Sequence, residues 1–336
     1  MYESVRIQNF RCFEDLTVDG LTRVNLIVGE NNVGKTALLE GVFLLLSVPD
    51  LSESVYTIHA MRGLAQAHRE PGIDQGLLES LFYAFNTDNA VQVSATRGPG
   101  GQDRFTLRTS HKQGKLKLET GWEFADGRRG GAECDPETGT GSAAGDFPPP
   151  PRPPPLFLGT RGAVPLAGEA EQFTRMVQQR KKEEVRRSLQ VIEPRIKELE
   201  LLQVGGNVAV HADVGLTRMI PIALLGEGSQ RLCSLVLAIG QASGSLALVD
   251  EIDTGLHYSL LRDMWKVVAR ATREFDVQLF ATTHSFECMT AAYEAFADSP
   301  EDFSMHRLER VNGEIVCKSF GHESLGTALE LGFEVR

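Results

Sequence analysis

Residues 24–36 read VNLIVGENNVGKT, and this stretch decides the fold. Its last eight residues fit the pattern G-x-x-x-x-G-K-[ST], in which the glycines let the backbone turn successive N–H groups toward phosphate oxygens. The apolar run before the loop predicts a strand, and the apolar residues at helical spacing after Lys35 predict a helix. Because a chance glycine-rich turn seldom has both neighbours, the stretch predicts a phosphate-binding loop for ATP and Mg²⁺.

Two side chains of this loop have predicted roles. Lys35 is expected to reach the β- and γ-phosphates, and the hydroxyl of Thr36 is expected to bind Mg²⁺. The predicted nucleotide contacts within the loop are Gly29, Glu30, Asn31, Asn32, Val33, Gly34, Lys35 and Thr36.

Acidic residues follow a second apolar strand in residues 246–251 (LALVDE). Asp250 is expected to hold the magnesium shell, and Glu251 is expected to polarise the attacking water. His284 follows another apolar strand, and the carboxyl ends of parallel strands meet at one ligand crevice. A lone loop histidine usually has no role, but beside these motifs His284 is expected to reach the γ-phosphate or the water. The predicted catalytic residues are Lys35, Glu251 and His284.

The composition is typical of a globular protein, with 42% hydrophobic and 24% charged residues. No apolar run is long enough to cross a bilayer, and charges in the opening strand argue against a signal peptide. The five scattered cysteines form no disulfide or zinc pattern, which fits a reducing compartment. We therefore expect a cytoplasmic protein with no membrane partner. The net charge of −11 opposes general adhesion to nucleic acid but is compatible with a local basic groove.

The chain divides by composition into residues 1–125, 126–155 and 156–336. The middle segment is dominated by Gly and Pro and predicts a disordered insertion. Its proline run is interpreted as a spacer in preference to a ligand for a proline-recognition domain. In the last third, helix and strand patterns alternate, which indicates a parallel α/β sheet.

A charged helix is predicted from residue 169 to about residue 193. We favour a solvated helix face over a DNA-contacting arm, because acidic and basic residues are nearly balanced there. The basic residues available to such an arm are Arg180, Lys181, Lys182, Arg186 and Arg187.

Together the motifs resemble the ABC ATPase superfamily, in particular its soluble branch with SMC, RecF-type and OLD-type proteins. Residues 7–13 (IQNFRCF) look like that branch's opening strand and arginine turn, and residues 225–229 (LGEGS) look like its signature motif. Gly228 precedes Asp250 by 22 residues and His284 follows Asp250 by 34, as in ABC ATPases. The resemblance covers residues 1–50 and 220–290.

This resemblance implies an ABC-ATPase-like α/β P-loop fold, with a mixed N-terminal sheet and a parallel core sheet flanked by helices. It implies a homodimer that sandwiches two ATP molecules, each site closed by the partner's signature residues Gly226, Glu227 and Gly228. Arg11 would contact the nucleotide, and His284 would be the switch histidine. Gly226 replaces the signature serine, so a γ-phosphate contact there must come from backbone N–H groups and the helix dipole.

Among the subfamilies, long coiled-coil SMC proteins are excluded because Gly228 follows Gly34 by only 194 positions. Only 52 residues follow His284, so neither a Toprim domain nor nuclease activity is expected. The chain looks like stand-alone OLD-like ATPases, which work beside a separate effector, often a nuclease, in phage defence or DNA repair. DNA is then an expected partner. The alternative is the motor subunit of a membrane transporter. No Q-loop is evident, and Gln75 is a candidate without a supporting strand pattern.

Overall fold

The computed structural model describes residues 1–46, 74–98, 100–112, 115–138, 140–145, 156–159 and 166–330, together with residues 55, 57–59 and 62. Within these residues the chain forms an antiparallel sheet, a mainly parallel core sheet and a small third sheet, with helices between and around them.

The first sheet is antiparallel throughout. Its strands are β1 (Ser4–Phe10), β2 (Phe13–Asp19), β4 (Val91–Arg97), β5 (Gly101–Lys112), β6 (Lys115–Glu123), β7 (Arg129–Cys134) and β8 (Gly141–Gly145). Their spatial order is β2-β1-β4-β5-β6-β7-β8. Apolar and polar residues alternate along β4 and β5, so one face of this sheet is buried.

The core sheet carries the motif strands. It consists of β3 (Val24–Val28), β9 (Leu156–Leu158), β13 (Leu246–Val249), β14 (Gln278–Thr282), β15 (Phe303–Val311) and β16 (Glu314–Gly321). The spatial order is β16-β15-β3-β14-β13-β9, and every pairing is parallel except that of β15 with the edge strand β16. Because β3, β14 and β13 are neighbours and parallel, the loops that leave their carboxyl ends lie side by side.

The remaining elements surround these sheets. A small antiparallel sheet contains β10 (Glu198–Val204), β11 (Asn207–Asp213) and β12 (Ile220–Pro221). The helices are α1 (Lys35–Leu46), α2 (Gln75–Glu79), α3 (Leu166–Gln178), α4 (Lys182–Leu189), α5 (Glu227–Gln241), α6 (Leu261–Glu274), α7 (Phe286–Ala295) and α8 (His322–Glu330).

Two hydrophobic clusters cover the two faces of the core sheet. Along β13, Leu246 and Leu248 face the cluster that also contains α1 and the antiparallel sheet, whereas Ala247 and Val249 face α5 and α6. Helix α1 contacts strands of both large sheets and is buried along most of its length. This burial fixes the start of α1, and with it the preceding loop, against the core sheet.

The predicted fold class is confirmed, with one difference in strand direction. The N-terminal sheet is antiparallel, and the strand that makes a sheet mixed is β16 at the edge of the core sheet. Antiparallel neighbours joined by short turns account for the first sheet.

Residues 126–155 differ in part from the predicted disordered insertion. β7 and β8 lie inside this range and extend the antiparallel sheet. Strand pairing uses backbone groups, which glycine supplies, and a Cβ on Gly131 would lie 2.7 Å from the carbonyl oxygen of Thr120. The proline run lies outside the described residues.

The predicted helix over residues 169–193 is two helices, α3 and α4. The break falls at Arg180, whose φ of +60° is left-handed and cannot continue an α-helix.

Candidate active site

The loop between β3 and α1 has the backbone that its glycines predicted. Gly29 and Gly34 have φ of +140° and +102°, a region that side chains rarely enter. A Cβ on Gly29 would lie 2.4 Å from the carbonyl oxygen of Leu308, and one on Gly34 would lie 2.7 Å from Cys12 Sγ. The loop therefore needs glycine at both positions. It leads into the first turn of α1, where free N–H groups favour an anion.

Lys35 is folded over this loop. Its ammonium donates to the carbonyl oxygens of Gly29 at 2.7 Å and Glu30 at 2.8 Å. Burial lowers the pKa of Lys35, and the carboxylates of Asp250 and Glu251 oppose that shift. The ammonium group of Lys35 lies between the loop and two acids, within reach of bound phosphate oxygens.

Thr36 and Asp250 meet across the loop and the end of β13. The Thr36 hydroxyl donates to Asp250 Oδ2 at 3.0 Å, and the Thr282 hydroxyl donates to Asp250 Oδ1 at 2.6 Å. A hydroxyl and a carboxylate in contact are hard oxygen donors, which Mg²⁺ prefers. The oxygen atoms of Thr36 and Asp250, and their contact with each other, are therefore compatible with the predicted metal site. Thr282 was not predicted, although it lies two residues before His284.

Glu251 presents its carboxylate to open space beside the loop. Its backbone has φ of +47°, and its N–H donates to the Thr282 hydroxyl at 2.8 Å. Glu251 Oε1 lies 3.9 Å from Nδ1 of His284, and Oε2 accepts a hydrogen bond of 3.2 Å from Thr254. The Glu251 side chain is 40% exposed, which leaves it accessible to water. The structure thus brings Lys35, Thr36, Asp250, Glu251 and His284 together.

Arg11 lies in the same region but is largely held by the protein. Its guanidinium donates to Glu40 Oε2 at 3.1 Å and to the hydroxyl of Ser80 at 2.8 Å. Burial lowers the pKa of Arg11, and Glu40 opposes the shift. Arg62 donates to the other oxygen of Glu40 at 2.6 Å. Glu40 is an acid on an otherwise apolar face of α1. This isolated acid could have indicated, from the sequence alone, that basic residues pair with it.

Lys35, Thr36, Asp250, Glu251 and Arg11 line one open cavity of about 790 Å³. Part of its lining carries the phosphate-binding and acidic groups, and the rest comes from the β1–β2 turn, Arg62 and residues 80–85. The lining residues are Arg11, Cys12, Asn31, Asn32, Gly34, Lys35, Thr36, Ala37, Arg62, Ser80, Phe82, Ala84, Phe85, Asp250 and Glu251.

Two family models match the chain. Residues 1–92 match the family described as "AAA ATPase domain", and residues 143–289 match the family described as "AAA domain, putative AbiEii toxin, Type IV TA system". The two matches include the loop strand and the acidic strand of the cavity.

Solved structures share the fold over almost the whole chain. An SMC head bound to the C-winged helix domain of ScpA covers 98% of this chain and 99% of its own, with a TM-score of 0.52 and 14% identity. The Smc head domain with an extended coiled coil, bound to the C-terminal domain of ScpA from Pyrococcus furiosus, covers 98% of each chain, with a TM-score of 0.53 and 10% identity. The chain thus matches models of ATPase domains in sequence, and its fold is similar to that of SMC heads.

Curated relatives match this ATPase domain over short regions. The "ATP/GTP phosphatase" of Helicobacter pylori is 30% identical over 96 residues, which are 29% of this chain and 25% of that protein. The "DNA replication and repair protein RecF" of an Exiguobacterium species is 44% identical over 43 residues, 13% of this chain and 12% of the relative. The chain therefore spans a quarter or less of the length of these relatives.

The predicted signature residues lie elsewhere on the same chain. Gly226 caps α5 with φ of +123°, and Glu227 and Gly228 form its first turn. None of these three is among the described residues that line the cavity. Leu224 and Tyr258 beside them are 72% and 70% exposed. Within one chain, the signature and the phosphate-binding loop are thus separate surfaces.

Two further residues connect the ATPase motifs and were missed in the sequence. Arg231 on α5 donates to the carbonyl oxygen of Glu251 at 3.3 Å, and Thr283 donates to Asp253 at 2.8 Å. Gln75, the Q-loop candidate, bonds Glu79 within α2 and is not among the described lining residues. No described helix of the domain is long and apolar enough to span a bilayer.

Proposed function

We propose that this chain binds Mg-ATP in the cavity and hydrolyses it to ADP and phosphate. The observation that carries the proposal is the convergence of Thr36, Asp250 and Glu251 beside a glycine-constrained loop at the start of α1. Two separate sequence motifs, the phosphate loop and the acidic strand, contribute to this one cavity, which is the arrangement that phosphoryl transfer to water needs.

Binding rests on the loop and on Lys35. Backbone N–H groups of residues 29–36 and the first turn of α1 hold the β- and γ-phosphates, and the ammonium of Lys35 leaves the carbonyls of Gly29 and Glu30 for phosphate oxygens. Thr36 and Asp250 would hold Mg²⁺. The bound ion would neutralise part of the negative charge on the phosphates.

Hydrolysis rests on Glu251. Its exposed carboxylate accepts a proton from the attacking water and holds that water in line with the γ-phosphate. His284 lies close enough to Glu251 to orient the same water or to contact the γ-phosphate. The left-handed backbone at Glu251, held by Thr282, directs the carboxylate into the cavity.

We further propose that two chains close on ATP as a homodimer. Gly226, Glu227 and Gly228 lie outside the cavity of their own chain, so they are available to the nucleotide of a partner. The exposed side chains of Leu224 and Tyr258 next to them provide apolar area for such a contact. The dipole of α5 favours a phosphate at its first turn.

The biological output that fits best is DNA-related work through a separate effector, in DNA repair or phage defence. The short match to RecF and the SMC-head fold support a DNA-associated role, and the toxin–antitoxin description of one matching family supports a role in defence. The solved SMC heads were bound to domains of a second protein, ScpA, which supports a separate partner here. Five free cysteines support a cytoplasmic location. No observation on the described residues favours the transporter alternative.

Two substitutions test the core of the proposal. Lys35→Ala should abolish tight ATP binding, because the β- and γ-phosphates lose their ammonium contact. Glu251→Gln should bind ATP normally but lose roughly 100-fold or more in turnover, because the base is gone. Calorimetry measures the first and phosphate release the second. Unchanged affinity in Lys35→Ala, or turnover within a few-fold of the unaltered chain in Glu251→Gln, would contradict the assignment.

A further inference from the structure

Phe85 is an exposed aromatic residue in the lining of the nucleotide cavity. Its side chain is 66% exposed, whereas most large apolar side chains of the described core are fully buried. Phe85 and the preceding Ala84 both have left-handed backbone, with φ of +59° and +52°. Two consecutive residues with side chains rarely adopt this conformation, and such strain is found mainly where a site requires it.

The neighbouring chain fixes this segment in place. Phe82 is buried and pairs with Phe10 at the end of β1, and the N–H of Arg11 donates to the carbonyl oxygen of Leu81 at 2.9 Å. The N–H of Phe85 donates to the carbonyl oxygen of Phe82 at 3.1 Å, which closes the turn. Because Phe82 takes the core position, the turn holds Phe85 at the cavity surface.

The position of Phe85 corresponds to the nucleoside part of the ligand. The phosphate end of the cavity is fixed by Lys35, Thr36 and the acids after β13. The rest of the described lining, from the β1–β2 turn, Arg62 and residues 80–85, is left for the sugar and base. The groups assigned above to the phosphates belong to the first set, and Phe85 belongs to the second.

Two polar side chains in this second set, Arg11 and Ser80, hydrogen-bond within the protein, although Arg11 Nη2 has no partner among the described residues. Arg11 donates to the carbonyl and hydroxyl oxygens of Ser80, and the Ser80 hydroxyl donates to the carbonyl oxygen of Leu77 at 2.6 Å. Phe85 itself offers the cavity only the surface of its exposed ring. A ring face attracts the face of another π system and reads no pattern of donors and acceptors.

We propose that Phe85 stacks on the purine base of the bound nucleotide and holds ATP and GTP alike. The inference rests on the proposed function, because it names the base-binding part of the same site. Stacking adds affinity without changing the groups that act on the γ-phosphate. Phe85 is thus a binding residue for the substrate, and the backbone strain at residues 84 and 85 keeps its ring in the cavity.

The test compares nucleotides with inorganic tripolyphosphate, which has phosphates and no base. In Phe85→Ala, the dissociation constants for ATP and GTP should both rise by about 5-fold to 100-fold, the range for loss of one base–aromatic stack. Binding of tripolyphosphate should stay unchanged. KM for ATP should rise with little change in kcat, and Phe85→Trp should retain the affinity for both nucleotides.

Val208→Ala is the matched control, because Val208 is an exposed apolar residue on β11 outside the cavity lining. It should leave all three affinities unchanged. Unaltered ATP affinity in Phe85→Ala would overturn the inference. Equal loss for ATP and tripolyphosphate would also overturn it, since that pattern means a distorted phosphate loop. If the unaltered chain bound neither ligand, the proposed function itself would fail, and the inference with it.

Discussion

The hydroxyl of Thr282 donates a hydrogen bond of 2.6 Å to the carboxylate of Asp250. The same oxygen accepts the backbone N–H of Glu251 at 2.8 Å. One buried side chain at the end of β14 therefore orients both acids at the end of β13. This contact fixes the strained backbone of Glu251 independently of any ligand.

Removal of that hydroxyl should lower turnover more than binding. Thr282→Val keeps the shape of the side chain but loses both hydrogen bonds, and small misplacements of a catalytic group cost about 100-fold in kcat. KM for ATP should change by less than about threefold, because the phosphate loop is intact. Thr282→Ser should restore most of kcat. Steady-state phosphate release measures all three.

Thr272→Val is the control for this experiment. Thr272 is equally buried, and its hydroxyl donates to the carbonyl oxygen of Val268 within α6, away from the cavity. Thr272→Val should lower the free energy of unfolding about as much as Thr282→Val does but should leave kcat unchanged. A kcat that falls equally in both variants would show that Thr282 acts only through stability.

ATP should drive association of the Glu251→Gln chain, because the bound nucleotide persists and joins the two signature surfaces. Sedimentation should show twice the monomer mass with Mg-ATP and the monomer mass without it. Gly228→Asp should block association by placing a carboxylate against the γ-phosphate. A Cβ at Gly228 meets only Leu256 and Leu260, at 3.6 and 3.7 Å, so the monomer should still fold.

Gly205→Asp controls for the added carboxylate in the association experiment. Gly205 lies in the β10–β11 turn with open space around it, and aspartate tolerates its left-handed backbone. This variant should associate like its parent. The same mass with and without ATP would count against an ATP-driven dimer.

DNA binding, if it uses the basic residues of α4, should be weak and salt-dependent. Lys182 pairs with Glu198 and Glu200, and Arg186 pairs with Glu183. These exposed pairs are weak enough for phosphates to replace them, but they reduce the free positive charge. Reversing the charge of Lys182 and Arg186 should flatten the dependence of affinity on salt and leave DNA-free ATP turnover intact.

The matched control reverses Lys266 and Arg270, which are also one helical turn apart and ion-paired, but lie on α6. It should leave the salt dependence unchanged. Equal slopes for the unaltered chain and the α4 variant, or no DNA binding under any condition, would contradict this interface. Metal-dependent cleavage of DNA by the purified chain would contradict the expectation that it has no nuclease activity.

Stability should fall as the pH drops below neutrality because of His306. Burial lowers the pKa of His306 from 6.5 to about 4, while its ring bonds Ser304 and Ser319. As the pH falls below 6.5, His306 takes up a proton in the unfolded chain, whereas in the folded chain it does so only near pH 4. The contribution of His306 to stability is therefore fully present above pH 6.5 and is lost toward pH 4. From this group alone, the free energy of unfolding should fall by about 2 kcal/mol between pH 7 and pH 5.

Urea titrations of the unaltered chain and of His306→Gln measure this effect. The variant should be less stable at pH 7 but should show a shallower decline with falling pH. Parallel declines for the two chains would mean that other groups cause the acid sensitivity.

Most residues of the predicted site could be recognised from patterns among neighbouring residues in the sequence. The phosphate loop and the start of α1 were predicted because glycine backbone freedom and helical spacing are properties of neighbouring residues. The acids after β13 were predicted because Asp250 and Glu251 directly follow an apolar run, and the change from apolar to acidic residues marks the end of a buried strand. The sequence did not indicate the strands β7 and β8, because glycine-rich strands lack the side-chain alternation by which strands are recognised.

By itself, the sequence determined the strand–loop–helix unit of β3 and α1 and the strand that ends in Asp250 and Glu251, and it predicted a phosphate site between them. Only the tertiary structure decided which distant side chains complete the cavity. Thr282 joins the acids because β14 pairs in register with β13, and Phe85 joins the lining because Phe82 pairs with Phe10. Such contacts depend on strand register and on packing between residues far apart in the chain, and no local pattern encodes that geometry.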